Sequence, residues 1–277
     1  TLGAIAGPYA TEKLATRIDL NWLFVVSAVL VELAVVCAAL LGRRADRRAT
    51  AASATARHEV PLSGNAWTGW KLVVGSKYLQ GVATYTFLFG VVQTFITFQQ
   101  NYIVEQAISG AVERTEYFAS VEKYAQSLTL VVQLFLTARI LRWIGFGGAL
   151  IALPLIGGLG FAALGSAHMI GGATLGVVTL FWVLFRAFNN STMKAAREAL
   201  YVTTSREEKY KAKNVNDTFV FRAGDLLAAW GFDALKNALS HSLAGAAFAA
   251  LPAAALWGAV GAWLGREEKR RERTPPS

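Results

Sequence analysis

Cysteine and histidine are scarce in this chain, with one Cys and three His among 277 residues. Cys37 lies inside an apolar run, so neither a disulfide framework nor a cysteine-based metal site is available. His58, His168 and His241 have no carboxylate or cysteine at the spacing of metal ligands. The sequence therefore predicts no metal and no cofactor, and we expect a protein that is not an enzyme.

A phosphate-binding loop of the GxxxxGK[ST] type is also missing, which argues against an ATP-driven pump. Charged residues make up only 16% of the chain, against 54% hydrophobic residues, and the mean hydropathy is +0.39. The apolar residues gather into blocks, and most Lys and Arg residues lie between the blocks. The net charge of +9 therefore indicates membrane topology signals and not a nucleic-acid surface. We predict an all-α membrane protein.

Seven apolar blocks have about the twenty residues that a bilayer requires. We predict spans at 20–41, 72–98, 118–138, 146–167, 173–188, 214–235 and 243–264. Residues 1–14 fit either the end of another helix or a turn around Pro8. The chain begins at Thr1 with neither an initiator Met nor a charged signal-peptide region, so we expect a fragment whose N-terminal helices lie upstream.

The only long polar gap is a basic segment at 43–61 without hydrophobic period. It predicts four parts: the end of an N-terminal helix bundle (1–42), a central linker (43–69), a C-terminal six-helix bundle (70–265) and a basic tail (266–277). If the central linker is cytoplasmic, the alternation of spans makes the basic segments at 139–142, 194–213 and 266–273 cytoplasmic as well. This arrangement agrees with the positive-inside rule.

The predicted span 118–138 carries a polar stripe in an otherwise apolar helix. Its residues recur at steps of four, three, four and four, and they are Glu122, Gln126, Thr129, Gln133 and Thr137. The stripe suits a water-filled cavity, and the alternative is hydrogen bonding between helices by buried Gln and Thr.

Charges within spans are costly and by default mark a substrate or ion pathway. Lys77 and Gln80 share a helical face that we expect to point into the bundle, and Lys77 has no carboxylate three or four residues away. Arg222 and Asp225 are three residues apart, so they either pair with each other or border a cavity. Our candidate substrate-binding residues are Lys77, Gln80, Glu122, Gln126, Arg186, Asn190, Asp217, Arg222 and Asp225. The cations among them favour an anionic or phosphate-bearing solute.

The run REALYVTTSREEKYKAKNVNDTFVFRAGD, residues 197–225, resembles a region of the nucleotide transporter family. This family comprises ATP:ADP antiporters (ATP/ADP translocases) and bacterial relatives within the major facilitator superfamily. The resemblance is carried by the residues Lys209, Lys211, Lys213, Asp217, Arg222 and Gly224. Less specifically, one helix, a basic loop and six helices match the second part of a twelve-helix facilitator. The Asp-Arg motif common among facilitators is missing between Thr137 and Gly145.

The resemblance implies a major-facilitator-like bundle and secondary transport by alternating access. The expected cargo is a nucleotide such as ATP or ADP, or a related anionic solute. The expected location is the bacterial inner membrane, with the basic linkers and the C-terminus cytoplasmic. The implied partners are the lipid bilayer, the solute and the N-terminal helices of the same chain, without nucleic acid. Two alternatives stay open: a facilitator-like transporter of another solute, and a membrane sensor or scaffold that does not transport.

Overall fold

The computed structural model describes residues 2–52, 67–172, 174–238 and 242–273, and every regular element in these ranges is helical. The first half contains α1 (Leu2–Ala15), α2 (Leu20–Ala52), α3 (Trp67–Gly75), α4 (Lys77–Ala107), α5 (Ala111–Val131) and α6 (Thr137–Met169). The second half contains α7 (Thr174–Phe188), α8 (Lys194–Ala199), α9 (Arg206–Val215), α10 (Phe221–Ala238), α11 (Leu243–Ala249) and α12 (Leu251–Arg273). The predicted all-α class is confirmed for these ranges. Part of the predicted central linker, 53–66, lies outside the described residues, as do 274–277 of the predicted tail.

Four helical segments in the described ranges are long and apolar enough to cross a membrane: Asn21–Arg43, Lys77–Ala107, Ala111–Met169 and Leu243–Arg271. The third covers 59 residues, far more than the roughly 20 residues that one span needs. It is interrupted at Gly145, whose φ of +68° lies in the left-handed region that favours glycine. The break falls between the predicted spans 118–138 and 146–167. The chain thus has the helices expected of a transmembrane protein, while the count of seven spans stays a prediction.

Several helices join through π-helical segments without leaving helical geometry. Val132–Leu136 connects α5 to α6, Asn189–Met193 connects α7 to α8, and Asn216–Val220 connects α9 to α10. π-helical turns are rare and are frequently found at functional sites. The second and third of these segments contribute residues to the cavity described below.

Two predicted boundaries are wrong. Residues 101–117, which fall between the predicted spans 72–98 and 118–138, are mostly helical, because α4 continues to Ala107 and α5 begins at Ala111. The helices extend past the apolar block because their polar ends are exposed to solvent, as at Glu105 and Glu113. The predicted span 72–98 is divided at Ser76, which has an extended backbone and caps α4 by accepting a hydrogen bond from the Leu79 N–H at 3.5 Å.

Two local features concern how helices begin and continue. Of the two interpretations of residues 1–14, the structure shows the helix, α1, with Pro8 inside it. Ser205 begins α9 through a capping box, in which its hydroxyl accepts from the Glu208 N–H at 3.2 Å and its own N–H donates to Glu208 Oε2 at 3.0 Å. The charged segment 194–213, predicted as a linker, thus contains two helices, α8 and α9.

The core lies around α4, which packs against α7, α10 and α12. The ring of the fully buried Trp257 lies 5.4 Å from the Tyr85 ring and 5.7 Å from the Phe89 ring, between ring centroids. Where α4 crosses α10, a Cβ on Gly224 would lie 2.5 Å from the Phe87 carbonyl oxygen, so this crossing requires a glycine. The close approach gives a structural reason for the glycine in the Arg222-x-Gly224 pair.

Candidate substrate cavity

A cavity of about 400 Å³ lies between α4, the segment from α7 to α8, and the segment from α9 to α10. Four cationic side chains line it, namely those of Arg186, Lys194, Arg197 and Lys213. The carboxylates in its lining are Glu198 and Asp217, and its aromatic residues are Phe89, Tyr201 and Phe221. The π-helical segments supply Asn189, Asn190 and Asp217. Positive charge is therefore in excess in the lining.

Arg186 is neutralised by a carboxylate on a neighbouring helix. Its Nη2 lies 3.3 Å from Oε1 of Glu122 on α5, and Gln126 Nε2 donates to the same oxygen at 2.6 Å. Both charged side chains are about one third exposed, at 34% for Arg186 and 28% for Glu122. The polar stripe of α5 thus meets the cavity through Arg186.

Lys213 is neutralised as well. Its ammonium lies 2.6 and 2.7 Å from the two carboxylate oxygens of Glu198, which joins α9 to α8. Nearby, Tyr78 donates to the Leu200 carbonyl at 2.9 Å, and Asn216 Nδ2 donates to the Tyr201 hydroxyl at 2.9 Å. These hydrogen bonds fix the chain where it leaves α8.

Arg197 has a different environment. Its Cζ lies 4.5 Å from the centroid of the Phe89 ring, and its Nη2 donates to Asn189 Oδ1 over 3.5 Å. Burial lowers the pKa of the guanidinium, and the nearby Asp217 and Glu198 carboxylates partly oppose this shift. Within the described part of the chain, neither Arg197 nor the exposed Lys194 has a carboxylate within ion-pair distance. Among the described residues, these two cations of the cavity therefore lack a direct ion pair.

A second cavity of about 450 Å³ shares Asn190, Lys194 and Glu198 with the first. Three residues of the polar stripe, Gln126, Thr129 and Gln133, line it. The neighbouring apolar residues Val131 and Leu134 are exposed to 48% and 66%, as suits side chains that face lipid. Gln126, Thr129 and Gln133 of the stripe therefore face the second cavity.

The candidate residues separate into two groups. Arg186, Asn190 and Asp217 line the first cavity, Gln126 and Asn190 line the second, and Glu122 contacts Arg186. The other four, Lys77, Gln80, Arg222 and Asp225, line neither cavity.

The residues of the second group have other contacts or are exposed. Lys77 and Gln80 are exposed at the start of α4, where Gln80 Nε2 donates to the Val74 carbonyl at 2.6 Å. Arg222 is 75% exposed and pairs with Asp225 at 3.2 Å. Asp225 also accepts a hydrogen bond from Thr94 at 2.9 Å. Of the two interpretations of Arg222 and Asp225, the structure shows the ion pair.

Sequence reasoning missed Arg197, Lys194, Glu198 and Phe89 as candidates. Arg197 and Lys194 belong to a charged amphipathic stretch, which is the pattern of a solvated helix face. The spacing of three residues between them was the available signal, because it places both cations on one side of a helix directly after an apolar span. In the described ranges, no group of three or more His, Cys, Asp or Glu side chains is arranged to hold a metal ion.

Comparison with known protein families, with curated proteins and with solved structures finds no match to this chain in any of the three. The function is therefore argued from the cavity and from the residues that carry the family resemblance.

Proposed function

We propose that this chain is part of a secondary membrane transporter with a major-facilitator-like bundle. It exchanges nucleotides such as ATP and ADP, or a related anionic solute, by alternating access. The observation that carries the proposal is the cavity beside α4, a helix long and apolar enough to cross a membrane, with four cations and two carboxylates in its lining. A phosphate group that leaves water for such a site needs cationic partners to offset its desolvation.

Three further observations support the proposal. The volume of about 400 Å³ falls within the roughly 300–1,000 Å³ typical of small-molecule sites. Phe89, Tyr201 and Phe221 provide apolar and aromatic surface next to the charges, as a solute with an aromatic base would require. The π-helical segments at Asn189–Met193 and Asn216–Val220 interrupt two helices at the cavity.

The proposal places the protein in the inner membrane of a bacterium, with its basic segments cytoplasmic. The basic residues of α8 and α9 then lie on the cytoplasmic side, so the cavity opens toward that side. The lipid bilayer and the solute are its partners.

A facilitator-like carrier of a smaller anion is the second candidate. The observation that favours it is that Arg186 and Lys213 already pair with Glu122 and Glu198. Only Arg197 and Lys194 are then available to bind the solute, and a triphosphate requires more cations than these two. A non-transporting sensor with the same cavity is the outcome if solute binds without crossing the membrane.

Transport by the full-length protein in proteoliposomes tests the proposal. Vesicles are preloaded with unlabelled ADP, phosphate or buffer, and uptake of labelled ATP, ADP and phosphate is followed. We expect uptake of a labelled nucleotide that depends on a nucleotide inside the vesicle. Uptake of phosphate alone would favour the smaller anion, and solute binding without uptake of any of the three would contradict transport. Protein-free vesicles are the control.

A further inference from the structure

The cations of the first cavity differ in whether a carboxylate already neutralises them. Arg186 and Lys213 are each held by a carboxylate, at 3.3 and 2.6 Å. In the described part of the chain, Arg197 contacts the Phe89 ring and the Asn189 amide, neither of which carries a negative charge, while the Glu198 and Asp217 carboxylates act on it from beyond ion-pair distance. A guanidinium removed from water without a counterion is unfavourable, and a ligand anion relieves that cost.

The guanidinium of Arg197 is also held in a defined orientation. One of its faces lies on the Phe89 ring, and that ring is itself 3% exposed and packed against Trp257. A guanidinium has five N–H donors in a planar fork, and the Asn189 contact at 3.5 Å engages one of them weakly. The described residues offer the fork no other hydrogen-bond acceptor, so most of it can donate to a ligand, in the geometry that matches two oxygens of a phosphate or carboxylate.

Lys194 adds a second cation to the same cavity. It is three residues before Arg197, it is exposed, and it lines both cavities. Asp217 is the carboxylate in the lining of the first cavity that pairs with neither Lys nor Arg among the described residues. Two cations and one carboxylate, none of them in an ion pair among the described residues, suit one phosphate-type group at this point of the cavity.

We propose that Arg197, oriented by Phe89 and assisted by Lys194, is the binding site for a single phosphate-type oxyanion group of the solute. That this solute is carried across the membrane rests on the proposed function, whereas the binding site itself does not. The terminal phosphate of a nucleotide and inorganic phosphate share this chemistry, as does the headgroup of an anionic phospholipid. We assign the site to a soluble anion because it lies in a cavity lined from three helical segments.

Binding to the purified full-length protein in nanodiscs tests the site. The probes are labelled inorganic phosphate, ADP and the uncharged adenosine. We expect Arg197→Gln to weaken binding of phosphate and ADP by about 10- to 100-fold, the effect of losing charged hydrogen bonds, without changing adenosine binding. Arg197→Lys should fall between Arg197→Gln and the original protein, because lysine keeps the charge but loses the fork.

Arg142→Gln is the matched control. Arg142 is an exposed arginine that donates to the Ala138 carbonyl of its own helix and lines neither cavity. Lys194→Gln keeps the test decisive if Arg197→Gln does not fold, because an exposed lysine has little packing to lose. We expect Lys194→Gln to weaken phosphate binding several-fold, and Arg142→Gln to leave it unchanged.

The possible outcomes distinguish failure of the proposed binding site from failure of the proposed function. Transport with unchanged phosphate and ADP affinity in both the Arg197 and Lys194 variants would overturn the site alone. Arg197-dependent binding in a protein that transports nothing would overturn the proposed function alone. Nanodiscs of neutral and of anionic lipid separate the two sources of phosphate. Phosphate binding that depends on Arg197 in neutral lipid supports a soluble anion. If retention of anionic lipid is the only property that depends on Arg197, the assignment to a soluble anion is overturned.

Discussion

Lys213 of α9 binds both carboxylate oxygens of Glu198 on α8, at 2.6 and 2.7 Å, within the lining of the first cavity. The side chains are 31% and 51% exposed, so the pair contributes little stability by itself, on the order of 1 kcal/mol or less. Its larger effect is on the cavity, because Glu198 withdraws one cation from any anionic ligand.

We therefore expect Glu198→Gln to strengthen ADP binding by up to about fivefold, the equivalent of roughly 1 kcal/mol. The gain should shrink at high salt, because partly exposed charges are screened. Equilibrium binding at two salt concentrations measures this. The double variant Glu198→Gln with Lys213→Gln is the control and should return to the original affinity or below it. Equal affinity of the single and double variants would show that Lys213 does not reach the ligand.

Gly224 offers a test of the crossing between α4 and α10. An added Cβ would lie 2.5 Å from the Phe87 carbonyl oxygen, and backbone cannot move aside as a flexible side chain can. We expect Gly224→Ala to lower stability by about 1–3 kcal/mol, the usual effect of overpacking. The thermal unfolding midpoint in detergent measures this loss of stability, and we expect it to be lower for Gly224→Ala.

Gly231 is the matched control on the same helix. A Cβ there meets no atom within 4 Å, and alanine is the better helix former by about 1 kcal/mol. Gly231→Ala should therefore leave the midpoint unchanged or raise it. Equal losses at both positions would mean that the close crossing is not what requires Gly224.

Local features of the fold could be predicted from the sequence. The capping box of Ser205 and Glu208, the apolar blocks and the pairing of Arg222 with Asp225 all depend on residues within a few positions of each other. The polar stripe of α5 was predicted for the same reason, and three of its residues line a cavity.

The charge pattern of the cavity could not be predicted in this way. Glu122 and Arg186 are 64 residues apart and Glu198 and Lys213 are 15 apart, so their pairing depends on how helices pack. The expectation for Lys77 used only its own helix, whereas the structure places it exposed after the Ser76 cap. The π-helical segments have no simple residue pattern, although they orient Asn189 and Asp217.

The polar stripe of α5 gives a prediction about water access. Gln126 and Gln133 line the second cavity, whereas Val131 and Leu134 are exposed on the outside of the helix, where lipid would cover them. In membranes, single-cysteine variants at 126 and 133 should react with a water-soluble thiol reagent, and those at 131 and 134 should not. Cys37 is replaced beforehand so that the introduced thiol is the only one in this chain. Equal protection of all four positions would leave interhelical hydrogen bonding as the role of the stripe.

Arg186 and Glu122 give a prediction in which one substitution lowers the stability of the protein without lowering its affinity for ADP. Their contact at 3.3 Å joins α7 to α5, and Arg186 Nε is buried without a hydrogen-bond partner among the described residues. Glu122→Gln removes the compensating charge, so we expect a stability loss of about 1–3 kcal/mol, less than for a fully buried pair. The freed guanidinium lines the cavity, so ADP affinity should be kept or increased.

The double variant Glu122→Gln with Arg186→Gln leaves no stranded charge. We expect it to recover most of the stability and to bind ADP more weakly than the original protein, because the cavity has lost a cation. Thermal unfolding and equilibrium binding on the same preparations measure both quantities. If the double variant is as unstable as Glu122→Gln, the charge pair is not the source of the stability loss. If it also binds ADP with unaltered affinity, Arg186 acts in packing and has no part in binding the anion.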